Sequence, residues 1–421
     1  MERLTVRDIS NLRVEDHGLP MHMAALLILE GAPLYAADGS FRYDDVAAEI
    51  ERGTMAAPRL RQVLRRSSTR RGVVVLVDQP DAVDIRRHVR VRDVPAPGDV
   101  GALLELCATI NRPPLDRSHP LWEIWFLTGL RDGTVAVLIR LHHVIADGVA
   151  AVALLGGLFG AGDVELSMTP TRGGVGASTG RTLGGALGTV RRFVGDGLAP
   201  KTSLTGRIGD RRLLFLARAD LERARAVAHE HDGTINDLML ASVAAGARRL
   251  LSARGELRPG LELRVSVPVS RRLAGEARVG NQVGVLIVPL PVGTEGSIER
   301  LEWIARATAA RKRDPRAATG WDVGSPLLQR AVVGLMRHQR FIHMLLSNVP
   351  GPTHPLRVGG AAVLEAFQLA AIQGNVTIAV GALSYAGQLN LDVVADADAC
   401  ADAAVFADGL RSELDALGVA R

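Results

Sequence analysis

Cysteine, lysine and aromatic residues are all scarce in this 421-residue chain, and each scarcity removes a class of function. The two cysteines, Cys107 and Cys400, lie far apart and match no ligand spacing, which leaves neither a disulfide framework nor a cysteine metal site. A reducing, intracellular compartment fits. Lys201 and Lys312 are the only lysines, so arginine supplies nearly every cation. The net charge is only +5, and no aromatic-basic RNA motif or zinc-finger spacing accompanies the arginines, so nucleic acid is not an expected partner. No apolar run reaches the ~20 residues that span a bilayer. The longest uncharged stretch, Gly148 to Gly162, is rich in glycine and reads as a buried helix followed by a turn. Met1-Glu2-Arg3-Leu4 leads into charged residues with no secretory h-region, so the cytoplasm is the expected location.

What is present is apolar mass: 47% of the chain is hydrophobic and 23% charged, the signature of a globular protein with sizeable cores. At this length two domains are the default. Residues 134–141 form a continuous apolar, β-branched run after the turn Arg131-Asp132-Gly133, which predicts a central strand. Val149, Val152, Leu155 and Leu158 then recur at helical intervals. Residues 161–206 change character, with Gly, Ser, Thr and Pro dominant, and read as a flexible linker between an N-terminal half, 1–160, and a C-terminal half, 207–421. In the second half strands are expected at 211–217, 261–269, 283–292, 376–383 and 389–395, and helices at 220–228 and from Thr234 to about Leu251. The whole is mixed α/β.

Leu141-His142-His143-Val144-Ile145-Ala146-Asp147-Gly148 is the most informative stretch, because it sets two histidines at the end of the predicted strand and an Asp-Gly four residues later. A neutral imidazole, with a pKa near ~6.5, accepts a proton at cellular pH, and a nearby acid can orient its loop. That suits proton removal from an alcohol or amine. A metal site is disfavoured, since neighbours at i and i+1 point in different directions and zinc enzymes use i, i+4 pairs. Gly176-Ala177-Ser178-Thr179-Gly180 matches the serine-hydrolase pattern but sits in the linker without the strand and helix of a nucleophile elbow, so it reads as coincidence.

Several further segments, in order, carry a resemblance. Pro20-Met21-His22, Pro114-Leu115-Asp116-Arg117 with Pro120-Leu121-Trp122-Glu123, the HHVIADG stretch, Asn236-Asp237, Val267-Pro268-Val269-Ser270-Arg271-Arg272, Gly280-Asn281 and Ser347-Asn348-Val349-Pro350-Gly351-Pro352 together resemble the bacterial wax ester synthase/diacylglycerol acyltransferases. That family lies within the HHxxxDG group of CoA-dependent acyltransferases. The resemblance implies two chloramphenicol-acetyltransferase-like domains with a substrate tunnel between them. Acyl-CoA would be a co-substrate and an alcohol, such as diacylglycerol or a fatty alcohol, the acceptor, with no cofactor.

On that resemblance His143 takes the catalytic place, His142 is a tunnel-wall or structural residue, and Asp147 pairs with Arg272 to fix the motif loop, with Gly148 permitting the turn into the helix. Asn236 is either a helix N-cap or a donor near the thioester; Asp237, Asn281, Ser347 and Asn348 fall to substrate binding. Trp122 reads as core. The run Arg59, Arg61, Arg65, Arg66, Arg70, Arg71 reads most simply as a solvated face, with an anionic-lipid or phosphate patch as the alternative. The N-terminal segment departs from the family: Thr5-Val6-Arg7-Asp8 and Leu12 lack its proline and aromatic, although Asp8 and Glu15 are kept. Low aromatic content, 4%, suits a wide aliphatic tunnel and a long-chain acyl group. A condensation-type or specialised-metabolite acyltransferase, and a non-catalytic lipid-binding relative, stay open as alternatives. So do peripheral contact with the inner membrane face or lipid bodies, and the oligomeric state.

Overall fold

The computed structural model describes residues 2–4, 6–16, 21–66, 74–79, 81, 83–146, 148–159, 197–270, 283–313 and 334–421. It divides into two units. The first takes the described residues of Met1–Ser167 together with Val349–Leu369, and the second takes the rest.

In the first unit a six-stranded sheet runs in the order β12 (Arg357–Val358), β13 (Ala361–Leu369), β2 (His22–Leu29), β7 (Val135–His142), β6 (Trp122–Thr128) and β5 (Val89–Asp93). All pairs are antiparallel except β5 with β6. β7 is buried at every position, as its unbroken apolar run requires of a strand covered on both faces. Helix α2 (Tyr43–Ala56) packs with α5 (Gly148–Leu158). Helix α4 (Val100–Asn111) starts on Asp99, whose carboxylate accepts the Ala102 N–H at 2.9 Å. A smaller sheet of β1 (Glu2–Arg3), β4 (Val74–Asp78) and β3 (Gln62–Arg66) lies beside helix α1 (Val6–Asp16). Leu12 of α1 and Leu76 of β4 close on Val144, inside the histidine motif. Trp122 is core, 2% exposed, with its indole N–H donated to the Leu60 carbonyl and its ring stacked on His88.

The second unit holds a six-stranded sheet ordered β10 (Val283–Pro291), β9 (Glu262–Ser270), β11 (Met344–Val349), β14 (Ile378–Tyr385), β15 (Gln388–Asp396) and β8 (Arg212–Asp220). One face of it is packed by helices Leu221–Glu230 (α6), Ile235–Ala253 (α7), Ser297–Arg313 (α8) and Ala403–Ala416 (α9), which share the unit's main core. α7 and α9 cross at Gly246 and Gly409: a Cβ on Gly409 would stand 3.0 Å from the Gly246 Cα, so only glycine admits this approach. The β14–β15 hairpin turns on Ala386 and Gly387, both at positive φ, the geometry of a two-residue turn. Asp392 is buried in β15, with Oδ2 accepting the Ala370 N–H at 2.8 Å and Oδ1 without a partner.

The linker reading needs revision at its C-terminal end. Residues 160–196 lie outside the described residues, but 197–206 are built into the second unit: Leu204 is fully buried, its carbonyl accepts the Thr377 N–H, and Thr205 bridges to Val376. The units also do not follow chain order. β12 and β13 come from the C-terminal third of the sequence yet complete the first sheet, β13 pairing with β2 from Val363↔Leu29 to Leu369↔Ala24.

Candidate active site

β7 delivers the two histidines. His142 is its last residue and His143 the first of the turn that follows. Segments distant in sequence hold both backbones. The His142 N–H donates to the Leu121 carbonyl and the His143 N–H to the Met21 carbonyl, each at 3.0 Å. His22, at the start of β2, stands in register opposite His142. The P-M-H and P-L-W segments therefore clamp the strand end that carries the imidazoles.

The two rings then part company. His142 is fully buried, its Nδ1 accepting the Val144 N–H at 3.0 Å, which puts the ring proton on Nε2. Nε2 faces Glu15 Oε2 at 3.4 Å, close but too poorly aligned for a hydrogen bond. Arg117 donates to that same oxygen through Nε and Nη2, at 2.9 and 2.7 Å, and to Asp16 and the Leu12 carbonyl at the end of α1. Burial alone would raise the Glu15 carboxyl, but His142 and Arg117 outweigh it and hold it at about 2. His142 thus stands between the motif turn and α1.

Among the described residues His143 has no such partner. Its Nδ1 is buried and unbonded, and burial, with His142 and His22 close by, pushes the imidazole down to about 4. The ring is accordingly neutral at cellular pH. His22 is also pushed to about 4, by burial and by Arg140, and donates its Nε2 proton to the Asn111 carbonyl. Arg140, 2% exposed, pairs with Glu123 at 2.7 Å and reaches Asn111 Oδ1 and the Pro113 carbonyl.

Two expectations are corrected. Arg59 is not part of a solvated face, for its guanidinium donates to the Val144 and Ile145 carbonyls at 3.4 and 3.0 Å and holds the motif loop. Arg61 likewise binds the Thr54 and Met55 carbonyls and Asp78, whereas Arg65 and Arg66 are exposed; Arg70 and Arg71 lie outside the described residues. Asp237 has no oxygen to spare for a substrate: Oδ2 accepts from the Thr234 N–H and hydroxyl, closing the start of α7, and Oδ1 accepts from Thr308 at 2.6 Å. At Gly148, which opens α5, a Cβ would meet Val349 Cγ2 at 3.1 Å, so the position is also short of room.

Thr234 is the N-cap of α7, so Asn236 is not, and its half-buried side chain sits in the first turn. Ser347 and Asn348 end β11, Ser347 half-buried and Asn348 exposed. Asp147, Arg272 and Asn281 lie outside the described residues, as does Ser178. Sequence reasoning missed Glu15, Arg117, Arg59 and His22 as parts of the site. The signal was available for three of them, because Glu15 is retained in an otherwise altered segment, Arg117 belongs to the P-L-D-R stretch and His22 to the P-M-H segment.

Neither cysteine is a ready nucleophile. Burial pushes the Cys107 thiol up to about 12 and the Cys400 thiol to about 11, so neither offers a thiolate at neutral pH. No group of three or more His, Cys, Asp or Glu among the described residues could hold a metal ion, and no described helix is long and apolar enough to cross a membrane.

Comparison with known proteins agrees with this arrangement. Residues 4–167 match the wax ester synthase/diacylglycerol acyltransferase catalytic domain, and residues 279–418 match the C-terminal domain of the same family. A probable diacylglycerol O-acyltransferase of Mycobacterium tuberculosis is 34% identical over 97% of this chain and 94% of its own. Among solved structures, the wax ester synthase/diacylglycerol acyltransferase of Marinobacter aquaeolei VT8 superposes with a TM-score of 0.74 at 23% identity, covering 99% of this chain and 98% of that one. The starter condensation domain of rhizomide synthetase, solved with C8-CoA, reaches 0.62 at 14% identity over 99% of this chain and 94% of its own, a likeness of fold alone. The chain belongs to the wax ester synthase/diacylglycerol acyltransferase family.

Proposed function

We propose that this protein is an O-acyltransferase that moves a long-chain acyl group from acyl-CoA to an alcohol, with His143 as general base and no cofactor. The observation that carries the reading is the His143 imidazole, kept neutral by burial at the end of β7 while its neighbour is locked against α1. His143 takes the hydroxyl proton as the alcohol oxygen attacks the thioester carbonyl. The tetrahedral intermediate then collapses, breaking the C–S bond, and the imidazolium returns the proton to the departing CoA thiolate. Direct transfer of this kind needs no acyl-enzyme, in keeping with two thiols held protonated by burial.

The test incubates purified protein with palmitoyl-CoA and a panel of diacylglycerol and fatty-alcohol acceptors, following thiol release and ester product. His143→Ala should lose about 10²- to 10⁴-fold in rate. Ser178→Ala should match the parent. Full activity in the His143 variant would overturn the mechanism, and loss in the Ser178 variant alone would favour hydrolase chemistry.

A further inference from the structure

A cationic cavity lies within the second unit. It measures ≈250 Å³ and is lined by Ala199, Pro200, Lys201 and Thr202, with Thr205, on one side, and by Arg340, Ile342 and His343 on the other. The two walls are tied together: the Ala199 N–H donates to the Arg340 carbonyl at 2.7 Å, Arg340 Nη2 returns a bond to the Ala199 carbonyl at 3.4 Å, and the His343 Nε2–H donates to the Pro200 carbonyl at 2.9 Å. The two walls are therefore fixed to each other by one backbone bond and by the Arg340 and His343 side chains.

Its polar lining is of one sign. Lys201 and Arg340 bring two positive charges, and no carboxylate occurs among the described lining residues. Lys201 is exposed and makes no ion pair or side-chain hydrogen bond among the described residues, in a chain with only one other lysine. Arg340 Nε is buried with no acceptor at all, an expensive omission for a guanidinium. His343 adds no charge: its Nδ1 accepts the Arg264 N–H at 2.9 Å and its Nε2 proton is already given to Pro200, so the ring is fixed as a neutral tautomer. Behind the wall two more guanidiniums point at the same segment, Arg258 at the Lys201 carbonyl and Arg264 at the Gly197 carbonyl. The neighbouring acids are engaged elsewhere, Glu256 on the Ser203 N–H and Asp402 on Arg254. The Thr202 hydroxyl accepts the Leu204 N–H and keeps its own proton for a ligand oxygen.

We infer that this cavity binds a phosphate group, held by Lys201, Arg340 and the Thr202 hydroxyl. A lysine point charge, an arginine with an idle N–H and a hydroxyl donor together suit a compact polyoxygen dianion. The volume is below the ~300–1,000 Å³ of pockets that enclose whole ligands, so the site takes the terminal phosphate of a larger molecule and leaves the remainder outside. Two sources share that chemistry: the 3′-phosphate of a CoA-type nucleotide and the phosphomonoester of an anionic lipid headgroup. The site lies apart from the histidines in sequence and stands without the acyl-transfer reading.

The test measures two binding equilibria on the full chain. One is calorimetric titration with adenosine 3′,5′-bisphosphate; the other is flotation with phosphatidylcholine vesicles with and without phosphatidic acid. Lys201→Gln and Arg340→Gln should each weaken one of them by about tenfold or more, while Lys312→Gln, at the other lysine, changes neither. Loss in the bisphosphate arm assigns the site to a nucleotide, and loss confined to phosphatidic-acid vesicles assigns it to a headgroup. Parent-like binding of both probes in the Lys201 and Arg340 variants overturns the proposal. Since Arg340 also braces Ala199, its unfolding midpoint is measured alongside; the Lys201 side chain makes no hydrogen bond or ion pair among the described residues, so its variant decides the matter. His143→Ala keeps the binding even where it abolishes ester formation, which separates this site's failure from a failure of the catalytic reading.

Discussion

Glu15 shows how much one side chain can organise. It is 7% exposed and lies between His142 and Arg117, so each neighbour contributes to keeping it ionised. Arg117→Met would strand that carboxylate. The cost is put at about 2 kcal/mol, below the ~3–5 typical of fully buried pairs because Arg117 is itself a third exposed. Urea unfolding measures it, and Glu15→Gln combined with Arg117→Met should recover part of the loss. The titrating groups also fix how stability follows pH. His22 and His143 sit near 4 in the fold against 6.5 in the unfolded chain. Between those values the unfolded chain binds protons that the fold excludes, so stability falls as pH drops from 6.5 to 4. Glu15 adds a further loss between 4.5 and 2. Asp392 acts in the opposite sense, because burial raises it to about 8 and the fold then holds a proton that the unfolded carboxyl releases above 3.8. Its stabilising share is lost as pH rises from 3.8 to 8. Asp392→Asn should therefore gain stability at pH 8 relative to pH 5, read from urea midpoints; an equal change at both would show that Asp392 does not titrate in this range.

Elements were the most legible level, for physical reasons. The β7 run was readable because a strand covered on both faces has no polar alternation, and the observed Val135–His142 falls within one residue of the predicted span. Thr234 announced α7 because a hydroxyl three residues before an acid can close the helix start from both ends. What the pattern did not carry was how elements meet. Arg59 looked like surface because charge alone does not reveal a carbonyl acceptor 85 residues away. The α7–α9 crossing was equally invisible, since Gly246 and Gly409 are ordinary small residues until packed together. Gly246→Val would place a Cβ 2.8 Å from the Phe406 carbonyl oxygen, forcing the helices apart. About 1–3 kcal/mol of destabilisation is expected, read from the urea midpoint; an unchanged midpoint would mean that the crossing relaxes freely.

At the scale of the molecule, chain length predicted two domains but not that β12 and β13 would join the first unit. Two contiguous halves would be the simplest division, and only coordinates reveal that Val349–Leu369 belongs with the first. A fragment ending at Phe159 should accordingly lack a sharp unfolding transition and self-associate, as urea denaturation and gel filtration would show. A monomeric fragment with a cooperative transition would mean that the first sheet closes without β13. The β13–β2 pairing also sets a timetable. β2 leaves the ribosome early, with a bare hydrogen-bonding edge, while its partner is more than 300 residues away in sequence. At ~5–20 residues per second, synthesis separates the two by on the order of tens of seconds. Throughout that interval an apolar strand edge is open to any other nascent chain. Shielding of β2 during translation should therefore raise the soluble yield of this protein in a cell even where the stability of the finished fold is unchanged, as co-expression with a strand-binding chaperone would show.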